Sequence, residues 1–290
     1  MEKNGKHKEG EEMIVEERIA AYLRSLEQDM PPYLAKLEEQ AIADGVPIIR
    51  KDAQALLRFF IRMRRPKRVL EVGTAVGFSC MYMNGYLPED GRIATIEKVP
   101  MRIVPAKENL AAAPCAKRIA LLIGEAADVL KDLAEGGHKT KMASRFFGAG
   151  RKDEDMALCN MVQGNLAKRE LAQEGIQEVY LPAGEASVWQ DGEFGGKYDL
   201  IFMDAAKGQY MNFLPHILAL LSEDGIFVTD NVLQEGSVAE SKFAIPRRDR
   251  GIHMRMREYL YELTHREGLN TAVLPVGDGM SVTTFCRCPF

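Results

Sequence analysis

Two apolar runs in this chain end on acids. "IFMDAAKGQY" (201–210) puts Asp204 directly after Ile-Phe-Met and Lys207 three positions later. "GIFVTDNVL" (225–233) ends on Asp230, with Asn231 beside it. If the runs are neighbouring buried strands, their ends converge, and two carboxylates side by side repel and resist ionisation. A divalent cation resolves that conflict. Asp204, Asp230 and Asn231 offer only hard oxygen ligands, which suits Mg²⁺ or a similar ion. Lys207, beside such an ion, is placed to accept a proton from a metal-bound hydroxyl. The plainer alternatives are two unrelated helix N-caps for the acids and a solvated first-turn lysine.

A second constellation lies earlier. "EVGTAVGFS" carries Glu71, Gly73, Gly77 and Ser79 where a strand should turn into a helix. Glycines there let backbone amides approach a ligand at a helix N-terminus. The spacing is E-x-G-x-x-x-G. Ala75 occupies the position where the dinucleotide fingerprint needs its second glycine for a pyrophosphate, which argues against an NAD enzyme. Glu97 ends "RIATIE", and an acid at the end of the second strand commonly accepts ribose hydroxyls. The combination fits a nucleoside ligand without a pyrophosphate, such as S-adenosylmethionine (SAM). The alternatives are an ordinary strand-to-helix turn and a surface acid.

The elements that must position these residues alternate. "RVLEVG" (68–73), "GRIATIE" (91–97), "RIALLIG" (118–124), "KYDLIFMD" (197–204) and "GIFVTDN" (225–231) read as strands, with helices between them. Pro105 predicts that the helix in "MRIVPAKENLAAA" starts late. A helix over 253–266 precedes two strands around a Gly-Asp-Gly turn, predicting an antiparallel edge hairpin. This is an α/β, Rossmann-like pattern with a mainly parallel sheet and helices on both faces. Residues 1–12 read as a solvated tail. Residues 13–45 read as helices, with one apolar face at Ile19, Tyr22, Leu23 and Leu26. Residues 46–290 form the main domain, interrupted by an insertion at about 134–196. The insertion partly echoes the chain before it, in "AGEAS" (183–187) after "IGEA" (123–126), so a partial duplication is one account of it.

The chain has 290 residues, 46% hydrophobic and 28% charged, with a formal net charge of -4. That is ordinary globular composition, and a mainly electrostatic nucleic-acid binder would be basic overall. No apolar run reaches the ~20 residues of a membrane helix, and the polar N-terminus lacks a signal-peptide core. The five cysteines are scattered, with no zinc-site spacing, which fits free thiols in a reducing cytoplasm.

"LEVGTAVGFS", "IFMDAAKGQY" and "VTDNVL" together resemble the metal-dependent class I O-methyltransferases, the group of catechol and caffeoyl-CoA O-methyltransferases. The likeness covers about residues 14–133 and 197–287. "VPIIRK", "DNVLQEGSVAE" and "LPVGDGM" resemble the bacterial branch that methylates tRNA 5-hydroxyuridine. The resemblance implies a seven-stranded sheet and a metal on Asp204, Asp230 and Asn231. It implies SAM contacts at Ile49, Glu71, Gly73, Gly77, Ser79, Glu97 and Asp204, with Glu125 and Ala126 at the adenine. It also implies Lys207 as catalytic base and a homodimer. For the adenine contact, "IGEA" keeps the family-like distance from Glu97, whereas "AGEAS" competes for the role.

Two basic clusters bear on the substrate. One is "RMRRPKR" (62–68). The other runs from Lys242 to Arg257 and includes Arg247, Arg248, Arg250, Arg255 and Arg257. Arginines suit phosphate contacts and could hold a tRNA anticodon stem while a loop base enters the metal site. A solvated helix face or a dimer contact is the plainer reading. The residues alone do not choose between RNA and a small phenol; the resemblance implies a SAM- and Mg²⁺-dependent O-methyltransferase of 5-hydroxyuridine at the tRNA wobble position. A methyltransferase of small catechols or phenols is the alternative, and a noncatalytic RNA-binding protein on the same fold is a third.

Overall fold

The computed structural model describes residues 15–113, 118–136, 146–147, 176–181 and 194–286. The N-terminal helices are α1 (Glu17–Ser25), α2 (Pro32–Ala43) and α3 (Lys51–Arg64). They lead into β1 (Arg68–Val72), α4 (Phe78–Asn84), β2 (Arg92–Glu97), α5 (Pro100–Ala112), β3 (Ile119–Ile123) and α6 (Ala126–Ala134). Two short strands follow, β4 (Phe146–Phe147) and β5 (Glu178–Leu181). The chain finishes with β6 (Tyr198–Met203), α7 (Tyr210–Leu220), β7 (Leu221–Thr229), α8 (Arg250–His265), β8 (Leu269–Leu274) and β9 (Met280–Phe285).

The strands form one sheet in the order β4-β5-β3-β2-β1-β6-β7-β9-β8. The five strands from β3 to β7 are parallel. The predicted hairpin is present: β9 runs antiparallel to β7, and β8 antiparallel to β9. The seven expected strands are thus all found, and β5, from the insertion, adds an antiparallel strand on the far edge of β3, with β4 beside it. Order reverses at β1, between β2 and β6, which creates the crevice where open α/β sheets bind ligands.

Strand alternation builds two cores. Val72, Ile201, Met203 and Phe227 face α6, α7 and α8 through Val129, Phe213, Ile217 and Tyr259. Val69, Leu200, Phe202 and Val228 face the other way, onto Leu57, Ile61, Phe78 and Ile103 of α3, α4 and α5. Side chains buried on both faces explain why these strands read as continuous apolar runs.

Two local expectations are corrected. α5 starts at Pro100 and runs through Pro105. A proline in the second turn forfeits one bond to the carbonyl four residues back, and the buried Ile103, Ala106 and Leu110 hold the helix through it. Pro215 is carried in the same way inside α7. β7 begins at Leu221, ahead of Gly225, and a register shift opposite Tyr198 and Leu200 absorbs the extra residues. No residue of α1 is buried, so Ile19, Tyr22, Leu23 and Leu26 are exposed. Among the described residues, no helix is long and apolar enough to cross a membrane. Residues 1–12, "AGEAS", and Cys115, Cys159 and Cys288 lie outside the described residues.

Candidate active site

The carboxyl ends of β1, β2, β6 and β7 open into a cleft of ≈ 430 Å³. Pairing continues one residue past each strand. Asp204 N donates to Val72 O at 3.0 Å, and Asp230 N donates to Met203 O at 3.0 Å. Asp204 is thereby fixed beside the β1 loop, and Asp230 beside Asp204. Both line the cleft, together with Asn231 and Lys207. The sequence-predicted pairing of strand-end acids is what the backbone delivers.

Gly73 makes that close approach possible. A Cβ there would lie 2.0 Å from Asp204 O, and its φ of +106° suits glycine alone. Gly77 does a different job. It caps α4 with a left-handed backbone (φ +89°), and it is not among the cleft-lining residues. Ala75 adopts φ 47°, and its amide donates to Glu97 Oε2 at 2.9 Å.

Glu97 also accepts the amides of Lys98 (2.8 Å) and Val99 (2.9 Å) through Oε1. Its carboxylate is fixed at the rim of the cleft by three backbone donors. Gly124, Glu125 and Ala126 of "IGEA" line the same wall. Glu125 precedes α6 and pairs with Lys98 at 2.7 Å. Ile49 and Ser79 meet Asp204 around a small adjoining cavity.

Glu71 lies beneath, fully buried. Burial lifts its carboxyl from 4.5 to about 7, with the Ser79 and Thr95 hydroxyls partly opposing the rise. The Thr95 hydroxyl donates to Oε2, while Oε1 finishes without a well-formed hydrogen bond.

The other side of the cleft is electrostatically different. Burial raises Asp230 to about 8; Asp204 adds to the rise, and the Asn231 amide opposes it through a 2.7 Å hydrogen bond. Burial also raises Asp204, against Lys207 and Arg102. Asn231 takes a left-handed backbone (φ 57°), which asparagine tolerates well. Among the described residues, no group of three or more His, Cys, Asp or Glu side chains is arranged to hold a metal. The predicted set, two carboxylates and one amide, is smaller than such a group.

Sequence reasoning missed Asp278. It lies 6% exposed in the β8–β9 turn, 3.7 Å from Lys207 Nζ through Oδ2. Its only signal was an acid between two glycines in "VGDGM", which read as a turn. Arg102 and Phe213 of α5 and α7, which also line the cleft, carried no signal beyond helical periodicity.

The basic cluster behaves unlike its sequence reading. Arg250 donates to Ile245 O (2.9 Å) and Phe243 O (3.4 Å). Arg255 donates to Gly208 O at 3.1 Å, and Arg257 to Val238 O at 3.1 Å. Arg248 pairs with its neighbour Asp249 at 3.2 Å, and Arg247 is exposed. In "RMRRPKR", Arg64 donates to Asp224 O and Lys67 pairs with Asp90.

Caffeoyl-CoA O-methyltransferase of Stellaria longipes is 23% identical over 81% of this chain and 73% of its own. Catechol O-methyltransferase of Niastella koreensis is 23% identical over 66% of this chain and 60% of its own. An SAH-bound methyltransferase from Podospora anserina superposes with a TM-score of 0.65 at 19% identity, covering 99% of this chain and 100% of its own, so the fold is that of a class I methyltransferase. The family model described as O-methyltransferase matches residues 24–156 and 181–287, and the chain therefore belongs to the O-methyltransferase family.

Proposed function

We propose that the chain transfers a methyl group from SAM to a hydroxyl oxygen of a small phenol or catechol, with a divalent cation at Asp204, Asp230 and Asn231. The observation that carries this reading is the Asp204–Asp230 pair lining the cleft. Burial raises both carboxyls, with Asp204 adding to the rise at Asp230 and Asp278 to that at Asp204; a cation would relieve this, and the donor set is wholly hard oxygen. A cation bound there would stabilise a substrate hydroxyl in its ionised form.

The chain's own residues supply the remainder. Glu97, held by three amides, keeps acceptor capacity for ribose hydroxyls, while Glu125 and Ala126 flank the position of a base. Gly73 and Asp204 set the cleft floor below the reacting atoms. Lys207 Nζ, on the cleft wall, takes the proton from the substrate hydroxyl. Alignment of two bound reactants is the protein's main contribution to rate.

The relatives' names point to catechol and caffeoyl substrates. The tRNA reading rests on the sequence resemblance and on a basic segment in which Arg250, Arg255 and Arg257 also donate to backbone carbonyls of this chain. The deciding experiment is methyl transfer from labelled SAM to a catechol panel and to tRNA lacking the modification, each with Mg²⁺ and with EDTA. Metal-dependent label in catechols is expected. Label confined to tRNA would overturn the substrate class, and label that survives EDTA would overturn the metal site.

A further inference from the structure

We infer that Asp278 is a positioning residue for Lys207, an anchor that holds the lysine Nζ at the edge of the cleft. The inference rests on the reading of Lys207 as proton acceptor. Lys207 stands on a short 3-10 turn, Lys207–Gln209, and its side chain is 32% exposed. Four flexible carbons give such a side chain many positions, and most of them do not present Nζ to a substrate oxygen. Among the described residues, its one ion pair is with Asp278, at 3.7 Å.

Asp278 itself has almost no freedom. Its Oδ1 accepts the amide of Glu235, and its backbone carbonyl accepts the amide of Leu233 at 3.0 Å. One residue on, Gly279 O accepts from Val232 at 2.9 Å. A Cβ at Gly279 would fall 2.4 Å from Leu233 Cγ, so the turn is clamped against the segment that follows Asn231. With Oδ1 committed to the backbone, Oδ2 is the atom left for Lys207. The side chain is only 7% exposed, so water screens the pair weakly.

The design couples three loops: the β6 end that carries Lys207, the β7 end that carries Asp230 and Asn231, and the β8–β9 turn. Arg255 braces the same arrangement from outside by holding Gly208 O. Asp278 neither touches substrate in this reading nor replaces Lys207 as base. It fixes where the base stands.

The test is a double-mutant cycle with Asp278→Asn and Lys207→Met, read in single turnovers with labelled SAM and a catechol. Asparagine keeps an acceptor for the Glu235 amide and removes the charge. Asp278→Asn is expected to lower kcat about tenfold with both KM values within about twofold, and to have no further effect once Lys207 is methionine. Equal losses in both backgrounds, or a loss expressed only in KM, would overturn the inference. A second readout needs no activity. Acetylation of Lys207 by an activated ester, followed by peptide mass spectrometry with Lys36 as internal reference, should rise roughly threefold or more in Asp278→Asn as the amine is released. Unchanged labelling would overturn the anchor. A Lys207→Met enzyme with wild-type kcat would instead overturn the role of Lys207, a result separable because the labelling change would persist.

Discussion

The two halves of the cleft treat their acids in opposite ways. On the β2 side, Glu97 is 6% exposed and accepts three backbone amides. On the β7 side, Asp230 is 2% exposed and accepts one, with Asp204 facing it, and burial drives it to about 8. Both are buried strand-end carboxylates, so burial alone does not separate them. What differs is the supply of donors. Three amides satisfy a carboxylate without outside help, whereas a paired, under-donated carboxylate takes up a proton or a cation. On the proposed function, the first half would be the cradle for hydroxyl donors and the second the ligand set.

The strongest way to break this comparison is to remove charge from the second half. Asp230→Asn should abolish divalent-cation binding and lower kcat by at least about a hundredfold. The same substitution should raise the melting temperature of the metal-free chain, because a buried like-charge pair is gone. Calorimetric titration with Mn²⁺ and a metal-free thermal melt check both signs in one protein. A fall in metal-free stability would mean that Asp230 is held by donors as Glu97 is.

Glu97→Ala should do the reverse. Its loss leaves buried amides unpaired, at a cost of roughly 1–3 kcal/mol. The KM for SAM should rise about tenfold, with metal affinity unchanged. Isothermal titration with SAM and with the metal separates the two effects.

Glu71 sharpens the comparison with a pH signature. Burial raises this carboxyl from 4.5 to about 7, so the folded chain favours its protonated form. A raised folded value means that its stabilising contribution is fully present below 4.5 and is lost as pH rises through about 7. The span corresponds to roughly 3 kcal/mol. Glu71→Gln should flatten the stability profile across that window, and chemical denaturation at a series of pH values would show it. A profile that keeps its full slope would place the titration elsewhere.

Legibility followed the range of each interaction. The parallel strands were readable because both faces are buried and each run is bounded by turn residues. Asp204, Asp230 and Asn231 were readable because a polar group ending an apolar run lies at the carboxyl edge of a parallel sheet. Asp278 was not, since its partnership with Lys207 depends on how the β8–β9 turn packs against Leu233. β5 was not placed either: its pairing with β3 crosses a long insertion whose own pattern names no partner strand. Pro105 misled because its local penalty is outweighed by burial of one helix face. The carbonyls that Arg250, Arg255 and Arg257 reach were not readable either, because sequence reports charge but not reach.

That last failure sets the smallest prediction. If the 242–257 segment were a nucleic-acid surface, its arginines would point outward with their donors available. Arg255 and Arg257 are exposed, and each also donates to a backbone carbonyl, of Gly208 and Val238. Arg247 and Arg248, also exposed, test the surface while leaving those hydrogen bonds intact. The double change Arg247→Glu and Arg248→Glu should leave catechol turnover within about twofold, since exposed charges away from the cleft contribute little. Arg255→Ala, although it removes one charge rather than reversing two, should cost more, because it frees the turn that carries Lys207. Steady-state kinetics on the two variants in parallel test the ordering. A double reversal more damaging than Arg255→Ala would return the segment to substrate recognition.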